Sequence, residues 1–510
     1  MRRLFRALTA LALTLLVAQP SLAQRKGASA PDLKAIDQVV TSIMKEWQVP
    51  GLALGIVKDG KVLYLKGYGY RDVEKQVPVT PKTLMAIGSN SKSFTVTLMG
   101  MLVDQKKLDW DTPVRKYLPD FRLYDQYAGE HMTPRDLVRH NSGLPRHDLV
   151  WYGRDVTRQE IYERVRYVEP NVSFRDKWQY NNLMFLTAGV LVEKIWGRSW
   201  ESLVKSELFT PLGMSRTLPG ATGMDQTDDF AWPYEKRNGS VVKVPIRVID
   251  QMGPAGSIVS SVEDMVKYIQ FRMDHGMSAT GPKISIAAED QMQSPQMVVG
   301  STFGPAIWPG FENNTYGLGL NVATYRGHQS VAHGGGIDGY ISQMSWLPKD
   351  KIGIMVLTNL GGDNPVPTMV VQSIYDRLLG LDPIDYTAVQ HAKDAENAKE
   401  AEKAKQVAKA AQVQGTSPSH ALAAYAGTYE HPGYGKLIIR RTGNGLEAAL
   451  DAIVAPMHHF HYDVFEIGDP GNIVPLSGLV AFSTNIKGEV DQLTIPLEPS
   501  VKPIVFKRVP

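Results

Sequence analysis

The 510-residue chain contains no cysteine. That excludes disulfides, thiol chemistry and cysteine-ligated metal sites, so its stability has to come from a packed core. It also lacks charge of one sign. The formal net charge is +3, and Arg2, Arg3 and Arg6 carry that whole surplus. No basic excess remains to argue for nucleic acid or an anionic membrane surface as a partner. Beyond the N-terminus there is no apolar run long enough for a transmembrane helix, so no stable membrane insertion is expected. What is present is ordinary globular composition, 43% hydrophobic and 21% charged, over a length that suggests about three domains.

The N-terminus reads as a signal peptide over residues 1–23. Arg2, Arg3 and Arg6 form a charged start, Ala7 to Ala18 an apolar centre too short to span a bilayer, and Ser21-Leu22-Ala23 a small-residue cleavage site. Cleavage after Ala23 and a periplasmic or secreted location are the expectation.

Apolar residues at helical spacing predict a helix over Asp32 to Trp47. Leu52 to Val57 and Val62 to Tyr68 read as strands joined through Lys58-Asp59-Gly60-Lys61, a hairpin signal. Thr133 and Pro134 open another helix as N-cap and first-turn proline. His140-Asn141-Ser142-Gly143-Leu144-Pro145 is turn chemistry, which makes Ser142 a poor nucleophile. Leu183 to Ile195 is an apolar helix closed by Gly197, and Gly253 to Ser261 a glycine-rich turn before a capped helix. Residues 275 to 315 are rich in Pro, Gly and Met with little periodicity, and are expected to form loops beside the site, a candidate specificity element. Tyr316 to Thr324, Ser330 to His333, Ile341 to Leu347 and Ile352 to Leu360 read as strands, and Val366 to Leu379 as a helix. Strands at both ends of residues 30–382 with helices between imply an α+β fold, an antiparallel sheet built from both ends with a helical subdomain. Residues 383–418, dominated by Ala, Lys, Glu and Gln, read as a solvated helical linker. Residues 419–510 read as a small all-β domain. His459 and His461 share a face of one strand there, but no carboxylates cluster with them, so no metal and no cofactor are expected.

Three stretches carry chemistry. In Gly88-Ser89-Asn90-Ser91-Lys92, Ser89 and Lys92 are i,i+3 neighbours at the start of a largely apolar helix. A serine hydroxyl needs a base to become a nucleophile, and a lysine can serve when burial lowers its pKa. Ser-x-x-Lys also occurs at Ser42/Lys45, Ser202/Lys205 and Ser240/Lys243, so the pattern alone decides nothing. Tyr180 and Asn182 precede the second buried helix, and His333-Gly334-Gly335-Gly336 follows a strand.

In this order, Ser89-x-x-Lys92, Tyr180-x-Asn182 and His333-x-Gly335 resemble the serine β-lactamase and penicillin-binding-protein superfamily, in particular the class C β-lactamase-like serine hydrolases. Tyr316-Gly317-Leu318-Gly319 and His140-Asn141-Ser142-Gly143-Leu144 also look like family sequence. The tail resembles a lipocalin-like β-barrel. The resemblance implies a β-lactamase/transpeptidase-like fold and an acyl-enzyme on Ser89. Lys92 and Tyr180 would share proton transfer, with Tyr180 a partial phenolate stabilised by Lys92. Asn182 would hold the substrate's amide, and the oxyanion would be bound by the N–H groups of Ser89 and Gly336. His333, Gly335 and Gly336 would line the substrate. Most β-lactamases of the superfamily have Lys where this chain has His333; His titrates near neutrality and pairs less reliably with a substrate carboxylate. The His-x-Gly form resembles amidases, D-aminopeptidases and esterases more closely. The expected substrate is therefore a small peptide, amide or ester. An esterase, a weak β-lactamase and a non-catalytic penicillin-binding sensor stay open.

Overall fold

The computed structural model describes residues 32–300, 309–443, 445–468 and 474–510; the expected signal peptide lies outside the described residues. Asp32 caps the first helix, Leu33–Glu46, by accepting the N–H groups of Lys34 and Ala35, and Ile36, Val40, Ile43 and Met44 form its buried stripe. Strand Gly51–Lys58 then turns through Asp59 and Gly60, both at positive φ, into Lys61–Asp72. That is the hairpin an Asp-Gly pair favours.

Nine strands form one antiparallel sheet, ordered Met297–Val298, Phe311–Tyr316, Asn321–Tyr325, His328–Ile337, Tyr340–Leu347, Ile352–Thr358, Gly51–Lys58, Lys61–Asp72 and Val77–Pro78. The register pairs Leu52 with Thr358 and Ile56 with Ile354, so the two ends of this part of the chain meet in the middle of the sheet. Both central strands are buried almost throughout because both faces are covered. Helices Leu33–Glu46 and Val366–Leu379 close one face. On the other, helix Val262–Met273 packs against the sheet and stacks Tyr268 on Phe94 of helix Ser91–Asp104. Helix Asn182–Trp196 completes the buried helical layer.

Two expectations change. Tyr316 to Thr324 is not one strand: Gly317 N–H bonds the Leu320 carbonyl and makes a tight turn between two strands. The segment expected to be loops beside the site contains helix Ile286–Met292, capped by Ser285, whose Glu289 forms a fully buried pair with Arg272 at 2.6 Å. A seven-residue helix is too short to show a period in sequence. It packs against the helix after Ser89, with Met292 facing Gly100, rather than over the cleft.

Helix Tyr386–Ala410 is almost wholly exposed apart from Tyr386 and Gln390. Beyond it, eight strands from Gly427 to Val509 close into a barrel when Thr428 pairs with Val509. Its interior residues, Tyr429, Leu437, Phe465, Phe482, Leu493 and Phe506 among them, are continuous with the apolar core of the helical layer. His459 and His461 sit either side of a bulge and each has a backbone partner, the Tyr462 carbonyl and the Val413 N–H respectively.

Candidate active site

Ser89 lies in a single 3-10 turn, Gly88–Asn90, that runs directly into helix Ser91–Asp104. The tighter turn still places positions 89 and 92 on one side. Gly88 adopts φ +52, and a Cβ there would come within 2.6 Å of the Gly336 nitrogen. A Cβ on Gly335 would reach 1.9 Å from the Ile87 carbonyl oxygen. The turn and the strand His328–Ile337 therefore touch backbone to backbone, which only glycine permits. Ser342 ties them, donating to the Ile87 carbonyl at 2.9 Å and accepting from Asn90 Nδ2 at 2.8 Å. The N–H of Ser89, in the first turn, has no partner within its own helix. It shares the cavity with Gly336, as an oxyanion site requires.

Lys92 is completely buried. Its Nζ lies 2.9 Å from Ser89 Oγ, 2.8 Å from Asn182 Oδ1 and 2.7 Å from the Ala255 carbonyl oxygen. Burial, reinforced by the positive charge of Arg146, pushes its pKa well below the usual lysine value, and Asp148 only partly opposes this. A neutral amine has two N–H groups and one lone pair. Once Lys92 is deprotonated, Asn182 Oδ1 and the Ala255 carbonyl would take its two N–H groups and leave the lone pair for the Ser89 hydroxyl.

Asn181, not Asn182, caps the second helix, accepting the Met184 N–H at 2.9 Å. Asn182 is left free to bridge. Its Nδ2 donates to Asp148 Oδ1 at 2.9 Å, which fixes which end of the amide faces Lys92. Both ends are thus engaged within the protein, where the resemblance gave this residue to the substrate. Asp148 also accepts from Trp151 Nε1 at 2.9 Å and pairs with Arg146 Nε at 2.6 Å. Arg146 in turn lies over the Tyr180 ring, 5.2 Å from its centroid, with its side chain 55% exposed at the mouth of the cleft.

Tyr180 hydrogen-bonds Ser89, yet burial outweighs that bond and raises its hydroxyl above the ordinary tyrosine range. Lys92 Nζ faces the Tyr180 ring at 4.9 Å. Burial therefore works against the phenolate of Tyr180 and against the ammonium of Lys92 alike. The His140 ring lies tilted against the Tyr180 ring, 4.3 Å between centroids, and accepts the Asn181 N–H on Nδ1.

His333 also departs from expectation. Its Nδ1 lies 2.6 Å from the Gly334 carbonyl, which can only accept, so Nδ1 carries the proton and Nε2 accepts from the Tyr316 hydroxyl at 3.0 Å. Burial, with the nearby Lys92 charge, drops its pKa to about 3. It is a neutral residue throughout the physiological range and supplies no cation to a substrate.

The cleft is a small cavity of about 60 Å³. Of the residues expected from sequence, Ser89, Asn182 and Gly336 line it; Lys92, Tyr180, His333 and Gly335 stand behind them. Arg146, Asp148, the Ala255 carbonyl and Val474 of the C-terminal part escape sequence reasoning. The signal for the first two is the charged trio Arg146-His147-Asp148 directly after the Ser142-Gly143-Leu144-Pro145 turn. Ser142 is used in that turn, accepting the Leu144 N–H at 3.2 Å.

Comparison with known proteins agrees with the fold. The family model described as Beta-lactamase matches residues 36–374, and a domain of unknown function, DUF3471, matches residues 411–508. Among curated proteins, an unguisins hydrolase of Aspergillus violaceofuscus is 29% identical over 473 residues, 84% of this chain and 80% of that protein. Protein flp of Staphylococcus aureus strain N315 is 27% identical over 66% of this chain and 64% of its own length. Among solved structures, the octameric penicillin-binding protein homologue from Pyrococcus abyssi matches with TM-score 0.59 and 24% identity, covering 91% of this chain and 98% of that one. A D-amino acid amidase from Ochrobactrum anthropi matches with TM-score 0.55 and 24% identity over 70% of this chain and 99% of its own.

Proposed function

The chain belongs to the beta-lactamase family of serine hydrolases, and from that premise we propose that it cleaves amide or peptide bonds through an acyl-enzyme on Ser89. The observation that carries the reading is the three-way fixation of Lys92, which holds its Nζ 2.9 Å from Ser89 Oγ. As Ser89 Oγ attacks the substrate carbonyl carbon, its proton passes to Lys92 Nζ. The carbonyl oxygen becomes an oxyanion facing the N–H groups of Ser89 and Gly336. When the tetrahedral centre collapses, the C–N bond breaks and the leaving nitrogen takes a proton from the Tyr180 hydroxyl, which Lys92 replenishes. Water then attacks the acyl ester, giving a proton to the same pair, which passes it to Ser89 Oγ as the ester C–O bond breaks and the acid is released.

A neutral Tyr180 supports amide over ester substrates. An amine must be protonated to leave, whereas an activated ester needs no such donor. The relative described as an unguisins hydrolase supports hydrolysis as the reaction type. Export follows from the N-terminal pattern ending at Ala23, and mature protein recovered outside the cytoplasm would begin at Gln24.

The test is turnover of a panel of D- and L-amino-acid amides, linear peptides, p-nitrophenyl esters and a chromogenic cephalosporin by the wild-type chain and Ser89→Ala. Amide or peptide turnover lost in Ser89→Ala supports the proposal. Ester or cephalosporin turnover alone assigns the protein to esterases or β-lactamases, and full activity in Ser89→Ala rejects Ser89 as the nucleophile.

A further inference from the structure

The loop from Pro145 to Arg154 carries Arg146 and Asp148, and the C-terminal barrel grips it at both ends. At the first end, His147 sits in the left-handed region, φ 48 and ψ 37, which a side chain with a Cβ adopts at a cost. Its backbone N–H donates to Glu498 Oε2 at 3.0 Å. Its ring Nε2 lies 2.8 Å from the Glu169 carbonyl and must donate there, so Nδ1 accepts from the Tyr434 hydroxyl at 2.6 Å. At the second end, Arg154 reaches Asp451 and the Tyr434 carbonyl, both at 2.5 Å, and the Ala452 N–H donates to the Gly153 carbonyl at 3.2 Å. The approach is close: a Cβ on Gly153 would meet Ile453 at 2.6 Å. Every barrel residue in this grip is buried or half-buried apart from Asp451 and Ala452, and Val474 reaches the cavity itself.

Resting on the reading of Lys92 as base, we propose that the C-terminal barrel is a brace for the catalytic base, with Glu498 and Tyr434 as positioning residues. Both reach His147 from outside the hydrolase part and hold its backbone left-handed. The reversal of chain direction at that point sends Arg146 to the cleft mouth and turns Asp148 inward. Asp148 then orients the Asn182 amide, and the amide orients Lys92 on Ser89. The barrel touches no reacting atom, yet the geometry of the base depends on it. This gives the domain of unknown function a task in this chain that follows from four consecutive contacts.

The full chain tests this. The double variant Glu498→Ala/Tyr434→Phe should slow acylation of Ser89 by a p-nitrophenyl ester, read as the burst rate, at least tenfold, with a smaller change in KM. Glu498→Gln keeps an acceptor for the His147 N–H and should retain the wild-type burst. Ser419→Ala is the control: it removes the Ser419 bonds to Asp463 elsewhere in the barrel and should lower the melting temperature without slowing the burst. A double variant with a wild-type burst, a Gln variant as slow as the Ala one, or a control slowed as much as the double variant each overturns the brace. Ser89→Ala runs alongside. If it keeps turnover, the acyl-enzyme reading is what fails; if it is inactive while the double variant is normal, only the brace fails.

Discussion

Asn182 Oδ1 accepts a hydrogen bond from Lys92 Nζ at 2.8 Å, and the other end of the same amide is held by Asp148. One asparagine thus sets the direction of the base. A freely rotating amide could turn its NH₂ toward Lys92 and leave the amine only the Ala255 carbonyl as acceptor; Asp148 prevents that flip. Breaking a hydrogen bond to a charged group of this kind costs about 1.5–3 kcal/mol. Asp148→Ala is therefore expected to lower kcat/KM by roughly 10–100-fold, measured against an amide substrate in the variant and the wild type.

Arg146 and Asp148 pull the Lys92 pKa in opposite directions, the first down and the second up. The base acts deprotonated, so activity falls as pH drops through its pKa, and anything that raises that pKa moves the acid limb of the pH profile upward. Arg146→Gln removes a cation that disfavours the ammonium and should move the acid limb to higher pH. Asp148→Asn removes an anion that favours it and should move the limb to lower pH. The profile of kcat/KM for both variants checks this, and shifts of the same sign would contradict the assignment of Lys92.

His333, with a pKa of about 3, is neutral across the range in which most histidines titrate, between about pH 5 and 8. The ring-nitrogen signals of selectively labelled protein should show one histidine, absent in His333→Gln, that stays in its Nδ1-protonated form from pH 8 to below pH 5. The acid limb of activity should keep its place in that variant.

Asp136 holds together the turn that carries His140 and Asn141. Burial works against its charge, but hydrogen bonds from Arg175 and Asn141, the Arg139 charge and the Thr133 hydroxyl override burial and hold its carboxyl at about 2. Its folded pKa lies below the unfolded value of 3.8, so its contribution is present above about pH 4 and is lost as pH falls toward 2. By linkage it is worth about 2 kcal/mol near neutrality. Urea unfolding should show Asp136→Asn destabilised at pH 7, with the gap to wild type closing between about pH 4 and 2.

The elements that were legible in the sequence are those whose period or caps act locally. The stripe Ile36, Val40, Ile43, the Asp59-Gly60 turn and the Thr133 cap each announce themselves within a few residues. Ser89, Lys92, Tyr180 and Asn182 were legible because the structure brings together what the three stretches keep in order. The rest depends on contacts across long separations. Asp148 matters through a residue 34 positions away, and its loop is shaped by Glu498, 351 positions from His147. The neutrality of His333 comes from burial against Tyr316 and Lys92, which no local pattern encodes. The tight turn at Gly317 to Leu320 hid inside an apolar run because two of its four residues are leucines.

The central claim is that Lys92, its pKa lowered by burial and its amine aimed by Asn182, activates Ser89. The most direct measurement is intact-protein and peptide mass spectrometry after brief exposure to a fluorophosphonate, for wild type, Ser89→Ala and Lys92→Ala. The account predicts a single adduct on the peptide carrying Ser89, none in Ser89→Ala, and labelling slowed by several orders of magnitude in Lys92→Ala. An adduct on another residue, or labelling of Lys92→Ala at the wild-type rate, would contradict it.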